Sequence, residues 1–324
     1  MCTALSFLTR DHYFGRTLDL EFHYDERVAV TPRNMPFHFR RMGDMPRHHA
    51  LIGMATVAGG VPLYYEATNE KGLSMAGLNF PGNAFYPEEA EGKDNVAPFE
   101  LIPWILGQCD DLDQARKLVE RVNVIDLVFS EGFPTATLHW MIADRTGSIV
   151  VESMADGLHI HDNPVGVMTN NPPFPMQMMN LANYMNLSRE PAVNRMAPGL
   201  DLTAYSRGMG AMGLPGDLSS ASRFVKCAFT KLNSLCGDDE LSSVSQFFHI
   251  LGSVEQQRGC VHMGEGKYEL TIYTSCCNTD TGTYYYTTYE NQSITGVSLF
   301  KEDLEGDAVI AYPLRTEQRI TMEN

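Results

Sequence analysis

Cys2 has the most direct route to chemistry of any residue in this chain. Its side chain is small enough for aminopeptidase removal of Met1, which leaves a thiol and a free α-amino group on one residue. The unperturbed amine titrates near ~8 and the thiol near ~8.5, so a proton can pass between them close to neutral pH, directly or through one water. A thiol activated in this way attacks amides. A cysteine behind Met1 carries no such message in isolation, but the residues that follow supply one. In "YFGRTLDLE", Arg16 and Asp19 stand three apart, a cation suited to stabilising a thiolate and a carboxylate suited to holding the new amine. Farther on come "AGLNFPGN" with Asn79, "GVMTNNP" with Asn170 and "LPGDLSSASRF" with Arg223. Asparagine amides and backbone N–H groups are the uncharged donors an oxyanion requires.

Other motifs carry less. "GMGAMG", Gly208 to Gly213, has the spacing of a dinucleotide fingerprint, but no strand precedes it and Leu214-Pro215-Gly216-Asp217 stops a helix from opening behind it. His159 and His161 share one face of a strand and His48 adjoins His49, yet neither pair has a nearby third ligand. No metal and no cofactor is expected.

The elements that must position these residues are mostly strands. "HYFGRTLD", "RVAVTP", "ALIGMATV", "PLYYEAT" and "GLSMAGLNF" are β-branched, aromatic or alternating runs separated by turn residues. "PFELIPWILGQC" and "DDLDQARKLVERV" predict a helix pair, the second opened by Asp111 with Gln114 in a capping box. "ATLHWMIADRTGSIVVES" predicts a hairpin turning at Asp144 to Gly147, followed by a strand at "GLHIH". From Pro172 to about Asp217 the chain is rich in Pro, Met, Asn and Gly and reads as a loop-rich arm. Helical spacing returns in "SASRFVKCAFTKLNSL" and "SVSQFFHILGSV", then strands in "YELTIYTSCC", "GTYYYTTYE" and "GVSLF". Strand and helix blocks with hairpin connections predict an α+β fold of mainly antiparallel sheets.

Composition narrows the partners. Forty acidic against 24 basic residues give a formal charge of −16 with no basic cluster, which excludes nucleic acid as a partner. Apolar runs such as "LIPWILG" fall well short of the roughly 20 residues a membrane-spanning helix needs. No export signal opens the chain, and seven cysteines without CxxC spacing fit neither a disulfide framework nor a zinc site. A cytoplasmic protein with reduced thiols is expected.

Taken together, these segments resemble the choloylglycine hydrolase family, the bile salt hydrolases and penicillin V acylases of the N-terminal nucleophile hydrolases. The likeness runs from "MCT" through "YFGRTLDLE", "NEKGLSMAGLNFPG", "TLHWMIAD", "MTNNP", "GLPGDLSSASRF" and "FFHILGSV" to "YYTTYEN". Met168 stands where leucine is more usual and Thr17 where asparagine is common. The resemblance implies a single domain over residues 1–324 with Met1 removed, folded as a four-layer αββα sandwich. It implies a homotetramer in which an arm at about 180–216 reaches a neighbouring subunit. By position it makes Cys2 the nucleophile and its amine the base, with Arg16 and Asp19 setting the local charge. Asn79 and Asn170 then shape the oxyanion site, and Arg223 completes the polar network. It suggests Leu18, Tyr24, Tyr65, Phe129 and Phe133 as the walls of an apolar acyl pocket. The implied substrates are glycine- or taurine-conjugated bile salts, because penicillin V acylases often carry tyrosine where Asn79 stands. The alternatives are a penicillin V acylase, an acyl homoserine lactone acylase, or a noncatalytic bile-acid or lipid-binding protein.

Overall fold

A computed structural model describes residues 1–324. Strands β1 (Cys2–Leu8) and β2 (His12–Leu20) form an opening hairpin. After β3 (Glu26–Thr31) comes a small hairpin of β4 (Phe37–Phe39) and β5 (Gly43–Met45). A meander follows, made of β6 (Leu51–Ala58), β7 (Val61–Asn69) and β8 (Ser74–Asn79). Strand β9 (Asp94–Val96) leads to helices α1 (Leu101–Leu106) and α2 (Leu112–Val119), then pairs in parallel with β10 (Val122–Val124). The expected hairpin is β11 (Leu138–Asp144) and β12 (Gly147–Met154), continued by β13 (Gly157–Asp162) and β14 (Val167–Met168). Helices α3 (Phe174–Leu181), α4 (Ser220–Asn233) and α5 (Glu240–Gly252) come next. The chain then runs through β15 (Val261–Gly264), β16 (Lys267–Asn278), β17 (Thr283–Thr288), β18 (Thr295–Ser298) and β19 (Ile310–Pro313).

The strands build two large antiparallel sheets. A seven-stranded sheet has the order β14-β1-β2-β16-β17-β18, with β15 added to β16, and an eight-stranded sheet has the order β13-β12-β11-β8-β7-β6-β3-β19. Helices α1 and α2 cover the outer face of the larger sheet, and α4 and α5 that of the smaller one, which gives the αββα order of layers. Side-chain alternation explains the stacking. Along β11, Trp140 and Ile142 turn to the α1/α2 side while Met141 and Ala143 turn inward between the sheets. Along β1, Leu5 and Phe7 belong to the same buried cluster as Phe224 of α4 and Phe247 of α5. Each fully buried side chain of this size contributes roughly 1.5–3 kcal/mol of burial.

Two register shifts flank the region where the site residues meet. In β7 an extra residue, Tyr65, lies between the pairs Met54–Glu66 and Ala55–Tyr64. In β16, Ile272 is extra between the pairs that Thr271 and Tyr273 make with β2. Such bulges re-aim the side chains beyond them. Gly15 is required beside Arg16, because a Cβ there would lie 2.0 Å from the Ser275 carbonyl oxygen.

The structure differs from the sequence-based expectation in the arm. Residues Phe174–Leu181 form a helix that buries only Phe174 and Gln177, so no apolar stripe announces it. The rest of the arm is irregular apart from 3-10 turns at Ala182–Tyr184 and Met209–Ala211, the second within the "GMGAMG" segment. The N-terminus of α2 differs in one detail. Asp111 accepts from the Gln114 amide, but the Gln114 side chain returns to the Asp110 amide and not to that of Asp111.

Candidate active site

The site forms where the start of β1 meets β2, the end of β8 and the segment after β14. Cys2 pairs with Leu18, and its side chain turns into the space between the sheets with only 2% exposure. Arg16 and Leu18 alternate on that same face of β2. Thr17 and Asp19 fall on the opposite face, beneath the α4 layer. The odd spacing of Arg16 and Asp19 puts them on opposite faces of the strand, and Cys2, paired with Leu18 from β1, turns to the Arg16 side.

On the α4 side, Arg223 is buried, and its Nη1 donates to the Cys2 carbonyl and the Thr3 hydroxyl, both at 2.6 Å. Nη2 donates to Asn170 Oδ1 at 2.8 Å, and the Asp19 carboxylate lies 4.0 Å from Nη1. Asp19 is held in turn by the hydroxyls of Thr271 at 2.7 Å and Thr17 at 3.2 Å. Thr17 thus does work of its own in this chain, since it also accepts from the Thr3 amide.

Asn170 joins the two sides. Its Oδ1 accepts from the Cys2 amide at 2.7 Å and its Nδ2 donates to the Asn79 carbonyl at 2.7 Å. Its backbone amide is held by Ser220 at the start of α4. Behind this segment His139 bridges the Glu152 carboxylate at 3.1 Å and the Thr169 carbonyl at 2.8 Å, with its ring stacked on Phe80. The amide of Asn170 is therefore committed to the scaffold and to the nitrogen of Cys2. The Asn79 side chain, by contrast, has no partner within the chain and borders the same cavity as Cys2. Asn79 therefore keeps both amide hydrogens unpaired, while Asn170 Nδ2 gives one of its two to the Asn79 carbonyl.

Met1 occupies the space beyond. Its amine donates to the Asp19 carbonyl at 2.7 Å and contacts the Glu269 carboxylate. Burial lowers the pKa of this amine, with Arg223 and Arg16 acting in the same direction and Cys2 and Asp19 opposing. Burial also lowers the pKa of Arg223. In Arg16 burial pulls the pKa down, but neighbouring groups that can carry negative charge, the Cys2 thiol and the Glu66 and Asp19 carboxylates among them, more than offset it, so its pKa is raised. Both guanidiniums stay cationic.

Cys2, Arg16 and Asn79 open onto a cavity of about 350 Å³, within the size range of small-molecule sites. Leu18, Tyr24, Tyr65, Phe129 and Phe133 all line it. Sequence reasoning missed Leu20, Leu63, Tyr64, Phe99 and Ile102, which line it as well. Leu20 was within reach, since it continues the alternation of Arg16 and Leu18. Phe99 and Ile102 come from the α1 region and meet the wall only through packing, where Phe99, Phe129 and Phe133 stack edge to face. Of the histidine pairs, His48 is spent on backbone carbonyls, while His159 and His161 face Asp156 and Glu152.

Comparison with known proteins agrees with this geometry. Residues 2–312 match the family described as linear amide C-N hydrolases, choloylglycine hydrolase family. The chain is 52% identical to a bile salt hydrolase/transferase of Lactiplantibacillus plantarum, over 98% of each protein. It is 40% identical to one of Bifidobacterium longum, over 96% of this chain and 99% of the relative. Among solved structures, the C2A mutant of the conjugated bile acid hydrolase from Clostridium perfringens superposes over the whole of both chains with a TM-score of 0.92 at 36% identity. Penicillin V acylase from Agrobacterium tumefaciens, at 18% identity and a TM-score of 0.75, shares the fold. A match that spans nearly the whole chain, on a fold that gathers the dispersed motif residues around Cys2, makes this protein a member of the choloylglycine hydrolase family.

Proposed function

We propose that this protein hydrolyses the amide bond of glycine- or taurine-conjugated bile salts, with Cys2 as an N-terminal nucleophile. One observation carries the reading: a buried thiol at the wall of a cavity in which 14 of 22 lining residues are hydrophobic. That lining suits the steroid, and the thiol stands where the conjugating amide would follow it.

Loss of Met1 turns the Cys2 nitrogen from an amide into a primary amine. The amine takes the thiol proton, and the thiolate attacks the amide carbonyl. The oxyanion that forms is met by the free amide of Asn79. Collapse breaks the C–N bond, and the ammonium returns its proton to the departing glycine or taurine nitrogen, leaving a thioester on Cys2. The amine then draws a proton from water, whose attack on the thioester frees the bile acid and restores the thiol. Asn170, Arg223 and Asp19 hold the nitrogen and backbone of Cys2, and Arg16 supplies positive charge on the cavity side.

A panel of glycocholate, taurocholate, penicillin V and an acyl homoserine lactone, read by mass spectrometry of the released amine, tests the substrate. Turnover of both bile salts is expected, with weak or absent turnover of the others. Turnover of penicillin V alone would make the protein an acylase, and binding without turnover would make it a carrier. Replacing Phe129 and Phe133 together with alanine is expected to raise KM for glycocholate about tenfold and to leave kcat within about twofold, since these rings contact the apolar body and not the reacting carbonyl.

The same reading takes the chain as one domain whose sheets share a core, active after removal of Met1 in a reducing cytoplasm that suits seven free thiols. The arm at 180–216 supports assembly as a homotetramer, because Met185, Met196 and Tyr205 are each more than four-fifths exposed there. Light scattering is expected to give the mass of four chains. A monomer would overturn the assembly.

A further inference from the structure

Glu66 takes no part in the steps above, yet its surroundings are built for a negative charge. It follows the bulge at Tyr65 on β7 and is 2% exposed. Tyr273 donates to Oε2 at 2.7 Å, while Ser275 at 3.0 Å and Tyr284 at 2.5 Å donate to Oε1. These three hydroxyls come from β16 and β17, so the carboxylate of one sheet is gripped by the other. Neither tyrosine hydroxyl has another acceptor in the chain, so both give their hydrogens to Glu66. Arg16 Nε faces Oε2 at 3.9 Å. Burial raises the pKa of Glu66, and Arg16 and the three hydroxyls pull against it. A carboxylate whose oxygens are filled by donors is favoured in its charged form.

On the far side of this contact, Arg16 is itself pinned. Nη1 donates to the Gly77 carbonyl at 2.6 Å and the Tyr65 carbonyl at 3.3 Å, and Nε donates to the Thr17 carbonyl at 3.1 Å. Nη2 is buried with no partner, in a side chain that lines the cavity beside Cys2. An unpartnered guanidinium N–H in such a place is costly unless something else fills it.

We propose that Glu66 is a positioning residue for the reaction. Its fixed charge anchors Arg16 with Nη2 left free for the cavity, and it tempers the positive field that Arg16 exerts on the Cys2 sulfur. This inference rests on Cys2 being the nucleophile. Removing the charge leaves the field of Arg16 less opposed, which favours the thiolate, so Cys2 becomes reactive at lower pH.

The test is the rate of alkylation of Cys2 by iodoacetamide against pH on the full chain, located by mass spectrometry, together with kcat and KM for glycocholate. Glu66→Gln is expected to move the alkylation midpoint down by about one pH unit, the size of a nearby charge change in a partly polar interior, and to lower kcat more than it raises KM. Glu66→Asp should bring the midpoint back toward the parent value. Tyr284→Phe removes one hydroxyl and keeps the ring. It should shift the midpoint in the same direction by less, and it serves as the test should Glu66→Gln fail to fold. A folded Glu66→Gln or Tyr284→Phe protein with the parent midpoint overturns the inference. If the parent turns over glycocholate and only the shift is missing, this inference alone fails. If Cys2→Ala retains turnover, the nucleophile assignment fails with it.

Discussion

Cys2→Ala is expected to lower kcat/KM for glycocholate by about 10⁴-fold or more, a loss of the size seen when the attacking atom of a covalent mechanism is removed. The fold should survive. The interactions that anchor residue 2 are made by its backbone: the amide donates to Asn170 Oδ1, and the carbonyl accepts from Arg223. Alanine keeps both. The sulfur leaves a small void in the inter-sheet core, worth about 1 kcal/mol, within what a domain of this size tolerates. Glycine release measured by mass spectrometry, beside a thermal melt of the same sample, separates the two effects. A folded variant that retained a tenth of the parent rate would remove Cys2 from the chemistry and assign the attack to another group.

Blocking the removal of Met1 is expected to cost nearly as much. With Met1 in place the Cys2 nitrogen is an amide, which donates its hydrogen to Asn170 and has no basic lone pair to accept a proton. The terminal amine then belongs to Met1 and is spent on the Asp19 carbonyl and the Glu269 carboxylate. A lysine inserted between Met1 and Cys2 should keep the start residue on the chain and leave the thiol without its base. A leader that a protease can trim back to Cys2 should restore full turnover, with intact mass read at each stage. The pH dependence follows from burial, which lowers the amine pKa at Met1. The freed amine of Cys2 would stand one residue further into the same site, so the acid limb of the rate profile is expected to lie below the ordinary amine range. Equal turnover with Met1 retained would reassign the base.

Much of the site is legible in the amino-acid sequence because the chemistry is local in type, if not in position. Cys2, Arg16, Asp19, Asn79, Asn170 and Arg223 lie in short segments whose residue kinds suit a nucleophile, charges and donors and which together carry the family resemblance. The hairpin of β11 and β12 and the helices α4 and α5 declare themselves through a turn signal and a repeating apolar face. Helix α3 does not, since a helix that buries Phe174 and Gln177 alone has no stripe to read. The short β9 and β10, three residues each, are below the length at which alternation can be recognised.

The sequence by itself made Cys2 the candidate, because removal of Met1 would place a thiol and an amine on one residue, and the motifs dispersed behind it carried the family resemblance that implies the reaction class. The division of labour around them needed three dimensions. Arg16 and Asp19 are three apart in sequence but on opposite faces of β2, since a strand reverses its side chains at every residue. Asn170 and Asn79 read alike in sequence, and only the fold shows that Asn170 accepts from the Cys2 nitrogen and donates to the Asn79 carbonyl while the Asn79 side chain is left without a partner at the cavity. Glu66 is silent in sequence because Tyr273, Ser275 and Tyr284, which give it meaning, lie more than 200 residues away on the other sheet, and only the closing of one sheet over the other brings a carboxylate and its donors within reach.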